Sequence, residues 1–306
     1  MSHLTLTHYV NDALAVGYGD QLLFRYVYQP VMAPSESPKP YFHPMNTLKG
    51  NEISCYRPHD HLWHKGLQMT MAHLSGQNFW GGHSYVHGQG YVQRPNNGRM
   101  DHVAWEAMDL APDHLTLQER LTWVTLAGAE WIGETRRMVV HSVDPEASSW
   151  TLDYITRLTN IHGEALHFGS PTTAGRPLAG YGGLFWRGPR SFSHGGQVRA
   201  AGGLSGEEVM GQAAAWLAFA GKHDGSGDQS TLLFLDHPQN LRYPNKWFIR
   251  IQPYACVSFA FMFDEEYALP AGETLTFHYR LIFCDGPRTD EQIEQAAAQW
   301  QAGDNN

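Results

Sequence analysis

Between residues 103 and 161 the chain offers four long extended segments, at 103–111, 114–126, 130–143 and 148–161, divided by links of a few residues. The links carry turn chemistry: Ala111-Pro112-Asp113, Ala127-Gly128-Ala129 and Asp144-Pro145-Glu146. Parallel strands need a crossover of about a dozen residues or more, so links this short restrict the block to an antiparallel meander. Trp150, Leu152, Tyr154, Thr156 and Leu158 alternate with Thr151, Asp153, Ile155, Arg157 and Thr159, the period of two of a half-buried strand. Glu106, Glu119, Glu130, Glu134 and Asp153 fall inside these strands and are expected to face solvent.

The flanking sequence continues in the same manner. Residues 4–28 read as paired strands about Gly17-Tyr18-Gly19-Asp20, and further strands are expected near 215–221, 230–236, 247–252, 256–263 and 273–283. Residues 30–44 hold five prolines and read as a surface connection, because proline cannot donate within a central strand. Residues 169–190 read as glycine-rich loop. Helical spacing is confined to about 289–302, where Ile293, Ala296, Ala297 and Trp300 share a face. With 306 residues and 42% apolar content, the chain can bury a large core. The expectation is an all-β protein: one large antiparallel β-sandwich domain over 1–306, with 287–306 as a C-terminal helical tail.

A formal charge of −9 leaves no basic footprint, which argues against nucleic acid and anionic membrane as partners. No run of 18 apolar residues exists, and Met1-Ser2-His3-Leu4-Thr5 lacks the basic and apolar regions of a signal peptide, so a cytoplasmic protein is expected. Cys55, Cys256 and Cys284 are odd in number and widely spaced, which indicates neither a disulfide framework nor a Cys-x-x-Cys metal site.

The chemistry concentrates at Arg57-Pro58-His59-Asp60-His61-Leu62-Trp63-His64-Lys65-Gly66-Leu67, followed by Asn78 to Tyr85 with His83 and then His87. Histidine titrates nearest neutral pH and suits acid/base work or metal ligation. In an extended segment His59 and His61 share a face, and a turn after Leu62 could bring His64 to them. Such an array can hold a divalent metal with an open position, or it can hydrogen-bond sugar hydroxyls without one. Trp63, Phe79, Trp80, Tyr85, Tyr181, Phe185 and Trp186 lie beside glycine and polar residues, as the aromatic platforms of carbohydrate sites do, although aromatics in a sandwich also serve as core. Trp123, Trp131, Trp150 and Trp216 are expected in the core. Arg176, Arg187, Arg242 and Arg250 sit in or beside the loops and could clamp a carboxylate or phosphate. His237 stands between Asp236 and the nearby Asn240. No pair of carboxylates stands out for glycosidase chemistry, and no nucleophile elbow, P-loop or dinucleotide fingerprint is present.

Four stretches, Arg57 to Leu67, Asn78 to Tyr91, Ser170 to Arg187 and Trp247 to Pro253, resemble the soluble family labelled "methane oxygenase PmoA". The strand order, Leu158-Thr159-Asn160 and the turn Pro270-Ala271-Gly272-Glu273-Thr274 are more distantly similar to the galactose mutarotase-like supersandwich. That second resemblance implies a concave sheet face that binds a sugar or sugar acid. It also implies a histidine acid and a glutamate base. Gln252, ahead of Pro253, stands where the glutamate is expected, and no histidine lies between Ser170 and Tyr181. The resulting expectation is a carbohydrate-active protein with His61, His64 and His237 as catalytic groups. His59, Asp60, Trp80, His83, Tyr85, Arg176, Tyr181, Arg187, Asn240, Arg242 and Gln252 would bind the substrate. The alternatives are a non-catalytic sugar sensor and a metal-dependent oxidoreductase built on His59, His61 and His64.

Overall fold

The meander forms as its short links require. Arg99–Leu110, Leu115–Val124, Glu130–Asp144 and Ser149–Asn160 pair antiparallel in chain order. Their sheet continues through Thr274–Asp285, Gln229–Asp236, Trp216–Lys222, Gln197–Ala200 and Leu204–Ser205 to make nine strands. This is a computed structural model, and it describes residues 3–303. Met1 and Ser2 of the segment read above for a signal peptide, and residues 304–306 of the tail, lie outside the described residues.

A second, eight-stranded antiparallel sheet packs against the first. Its order is Leu4–Tyr9, Ala13–Tyr18, Gln21–Val27, Tyr41–Met45, Leu67–Thr70, Gly183–Arg187, Cys256–Phe259 and Trp247–Arg250. Phe24, Phe42, Trp186 and Trp247 from this sheet meet Trp123, Met138, Trp150 and Tyr154 from the other in one continuous apolar cluster. Each such side chain contributes about 1.5–3 kcal/mol of burial free energy. The expected all-β antiparallel sandwich is therefore what the chain forms, and its helix, Asp290–Gly303, lies at the C-terminal end. Thr289 and Gln292 exchange backbone-to-side-chain hydrogen bonds at the helix start, a capping box, while Ile293, Ala297 and Trp300 bury against Trp216, Leu233 and Leu235.

Three expectations need correction. The 30–44 segment is a surface connection only in its first part: Val31 and Ala33 to Ser35 are exposed, whereas Glu36, Ser37 and Lys39 are buried and Tyr41–Met45 is an internal strand. Pro44 is tolerated because pairing with Gln21–Val27 is irregular there, passing from Phe42 to Met45. Gly183–Arg187, read as loop, is a central strand buried on both faces, so it shows no alternation in the sequence. Glu119, Glu134 and Asp153 are buried, not solvent-facing. Glu119 and Glu134 point between the sheets, where Tyr26 and His102 bond the first, and Arg136, Trp123 Nε1 and Thr156 bond the second. Asp153 is held by Arg280 and His141 beneath the C-terminal helix. Of the two roles open to Trp186, platform or core, it takes the core, its Nε1 donating to the Ile53 carbonyl at 2.8 Å.

Candidate functional site

The period of two in the eight-stranded sheet sends Leu67, Met69, Leu184, Trp186, Trp247 and Ile249 inward. Their neighbours Gln68, Phe185, Arg187, Phe248 and Arg250 therefore face out. The histidine-rich loop, the turn at Trp80 and the loop before Gly183 fold over this outer face. Between them lies a cavity of about 270 Å³, at the small end of ligand sites. Trp63, Trp80, Tyr181, Phe185, Phe248 and Tyr254 line its apolar part, and His61, His64, Arg176 and Arg250 are among its polar groups. Trp80 packs with Tyr181 at 4.5 Å and with Phe185 at 4.7 Å between ring centroids.

The loop that carries the histidines is anchored at both ends. The Arg57 N–H donates to the His64 carbonyl, His61 N–H to Pro58 and His64 N–H to His61, which winds the segment tightly. Buried Glu36 accepts from Arg57 at 2.6 Å and from Lys65 at 2.8 Å. Burial pushes the Glu36 carboxyl up, but those two hydrogen bonds outweigh it and hold the group below its usual value. Lys39 Nζ donates to the Trp80 carbonyl at 2.8 Å, so the proline-rich segment positions both sides of the cavity. Gly82 adopts φ +65°, and a Cβ there would lie 2.5 Å from the Trp63 ring. Glycine is required for that close approach.

The protonation pattern follows from the partners. Arg187 Nη1 donates to His64 Nδ1 at 3.0 Å, and a guanidinium offers donors alone. His64 must then carry its proton on Nε2, which is buried without a partner. Burial, and then the charges of His61 and Arg187, push its pKa well down, so the ring is neutral. His61 is set the other way. Its Nδ1 lies 2.9 Å from Asp60 Oδ2. Burial pushes the Asp60 carboxyl up, but the His61 hydrogen bond and the charge of Arg187 bring it below its usual value, so it stays ionised. The His61 proton then sits on Nδ1 and Nε2 keeps its lone pair. Burial lowers the His61 pKa although Asp60 opposes that. The two rings stack at 4.6 Å with an interplanar angle of 16°. A fixed neutral donor and a carboxylate-backed acceptor thus stand side by side. Four orphaned buried polar atoms gather here: His64 Nε2, Trp63 Nε1, Gln68 Oε1 and Arg187 Nε. Buried polar groups are normally paired, so these point to a ligand site.

The structure sorts the candidate residues from the sequence. His61, His64, Trp80, Arg176 and Tyr181 line the cavity, and His83 is exposed at its border. Asp60 and Arg187 act through His61 and His64. Tyr85 packs on Tyr91 outside the lining. His237, Asn240, Arg242 and Gln252 are not brought to the cavity. His237 is buried against His278 and Trp300, and Asn240 bonds Asp236 and the His278 backbone. Arg242 holds the carbonyls of Phe261, Glu265 and Glu266, and Gln252 is exposed in a turn. The metal array does not converge: His59 Nδ1 faces Arg190, and His64 Nδ1 faces Arg187. Among the described residues no three histidine, cysteine or acidic side chains gather to hold a metal ion. Tyr91 and Tyr254 went unselected in the sequence, since each lies in or beside a turn with no periodic neighbour.

Residues 13–298 match the Family of unknown function (DUF6807). The chain belongs to that family. The match carries no methane-oxygenase label. No curated protein matches the sequence. Among solved structures, the chain is similar to heparan sulfate lyase HepC from Pedobacter heparinus, at 8% identity and TM-score 0.42, over 94% of this chain and 36% of the lyase. It is similar at 8% identity and TM-score 0.42 to galactose 1-epimerase from Lactobacillus acidophilus NCFM, over 94% of this chain and 99% of that one. An alpha-galactosidase from Lactobacillus brevis follows at 9% and 0.40, over 92% and 39%. The chain spans little more than a third of the lyase and of the galactosidase.

Proposed function

We propose that this DUF6807 member binds a small sugar in the cavity above the eight-stranded sheet and moves a proton on it, in an epimerisation, isomerisation or elimination. The observation that carries this reading is the pairing of a carboxylate-backed His61 with the tautomer-fixed His64 on one aromatic-lined wall. His61 Nε2 takes the proton, and His64 Nε2–H steadies the oxygen on which charge develops. Trp63 and Tyr181, the half-buried aromatics of the lining, offer faces on which a sugar ring can stack. A soluble cytoplasmic protein, related to the family labelled methane oxygenase PmoA yet not performing oxygenase chemistry, is part of the same proposal. Among the described residues, no helix is long and apolar enough to cross a membrane.

The test is a panel of monosaccharides incubated with the protein in D2O and followed by proton NMR. Solvent deuterium incorporated into one sugar, lost in His61→Ala, is the expected result. A second reading, a non-catalytic sugar sensor, is favoured by one observation: among the described residues no carboxylate lines the cavity, so no aspartate or glutamate base stands opposite His61. Calorimetric binding without deuterium incorporation would decide for it.

A further inference from the structure

We infer that the ligand carries an oxyanion, a carboxylate or a phosphate, and that Arg176 and Arg250 form the subsite that holds it. The inference rests on the sugar reading above and narrows it to acidic sugars. The chain bears a formal charge of −9, yet among the described residues this cavity is lined by two arginines and by no aspartate or glutamate. Most other arginines at hand are spoken for: Arg57 by Glu36, Arg242 by Glu265 and loop carbonyls, Arg280 by Asp153. Arg250 differs. Among the described residues its side chain makes no hydrogen bond and no ion pair, and its guanidinium lies 5.3 Å from the Phe248 ring centroid.

Among the described residues, Arg176 has no carboxylate partner either. It donates to the Tyr91 hydroxyl and lies 4.8 Å from that ring's centroid, and Tyr91 in turn bonds Tyr181 at 2.9 Å. That contact orients the guanidinium across the cavity border without neutralising it. A planar fork suits bidentate capture of an oxyanion, and apolar walls strengthen the attraction by keeping water back. The lining therefore supplies aromatic side chains and two histidines for the ring, and two guanidinium groups for the acid group.

The experiment is isothermal titration of the full chain with glucuronate, galactonate and glucose 6-phosphate against neutral glucose and galactose, repeated with Arg250→Gln and Arg176→Gln. Arg250 has no hydrogen bond or ion pair to lose among the described residues, so Arg250→Gln should fold normally, and thermal melting checks this. Acidic sugars should bind about tenfold to a hundredfold more tightly than neutral ones, and Arg250→Gln should remove most of that preference. Carboxylate against phosphate within the panel identifies the acid group. Equal affinity for neutral sugars would overturn the subsite and leave the sugar reading standing. Binding of a non-sugar C4 dicarboxylate with the same Arg250 dependence, and of no sugar, would support the subsite and overturn the sugar reading. No binding of any acid overturns the subsite.

Discussion

Arg187 donates a hydrogen bond to His64 across 3.0 Å, and both side chains are almost wholly buried, at 2% and 1% exposure. The guanidinium also lies 3.8 Å from the Tyr254 ring centroid. One arginine therefore fixes the tautomer of His64 and supports a wall of the cavity. Replacing it by methionine keeps the bulk but leaves His64 Nδ1 buried and unpaired, at a cost of about 1–3 kcal/mol. Arg187→Met should fold with lowered stability in urea and lose ligand affinity by about tenfold or more. Unchanged affinity would remove Arg187 from the site.

His61 sets the pH dependence. Its pKa is lowered from 6.5, chiefly by burial, so it is an unprotonated acceptor at neutral pH. Turnover should be flat above neutrality and fall on the acid side as His61 gains a proton, with a midpoint below 6.5. Asp60→Asn removes the carboxylate that raises His61 and frees its tautomer; the rate should drop and the acid limb should move lower still.

The Gly82 backbone lies against the Trp63 ring, with φ +65°. Gly82→Ala should displace that ring, weakening ligand binding by more than it lowers the melting temperature. A melting loss with unchanged affinity would show that Trp63 is only scaffold.

These relationships differ in how far the sequence discloses them. The meander was legible because its turns and its alternation are local. The C-terminal helix was legible for the same reason, from the shared face of Ile293, Ala296, Ala297 and Trp300, whereas its cap at Thr289 and Gln292 emerged only in the structure. The site was legible only in part. The histidine stretch marked it, but His64 meets Arg187 across 123 residues of chain, a distance that no spacing rule bridges. Gly183–Arg187 hid its outward face because both faces are buried. Glu119 and Glu134 were misread because charge usually means exposure; Tyr26, partner of Glu119, lies 93 residues away, and the ion pair that compensates Glu134 lies on its own strand at Arg136.

That inter-sheet network yields a stability prediction. Arg136 and Glu134 are buried together, joined at 2.8 Å, and Tyr26 links them to Glu119. Removing one partner strands the other charge, so Glu134→Ala should cost about 3–5 kcal/mol in chemical denaturation. The double replacement Glu134→Leu with Arg136→Met should recover much of it. A loss below about 1 kcal/mol for the single change would mean that water reaches the pair.

Asp236 offers a second pH test, remote from the cavity. Burial pushes its carboxyl up to about 7, although hydrogen bonds from Asn240 and from the Asn245 and His237 backbone oppose this. A raised carboxyl pKa means that the folded state binds a proton more readily than the unfolded chain. Its contribution is fully present below the unfolded value near 3.8 and is lost as pH rises through about 7. Melting temperature should therefore decline between about pH 4 and 7 on the order of a few degrees and level off above that, and Asp236→Asn should flatten that slope.

The central claim is that His64 presents a fixed Nε2–H to a sugar, and imidazole nitrogen-15 NMR of the labelled protein tests it most directly. With the free protein, His64 should show a protonated Nε2 and an unprotonated Nδ1 throughout pH 6–8. A bound sugar should shift that Nε2–H signal, while His162, remote from the cavity, stays put. A proton on His64 Nδ1, or a signal unmoved by any sugar or sugar acid at saturating concentration, would contradict the account.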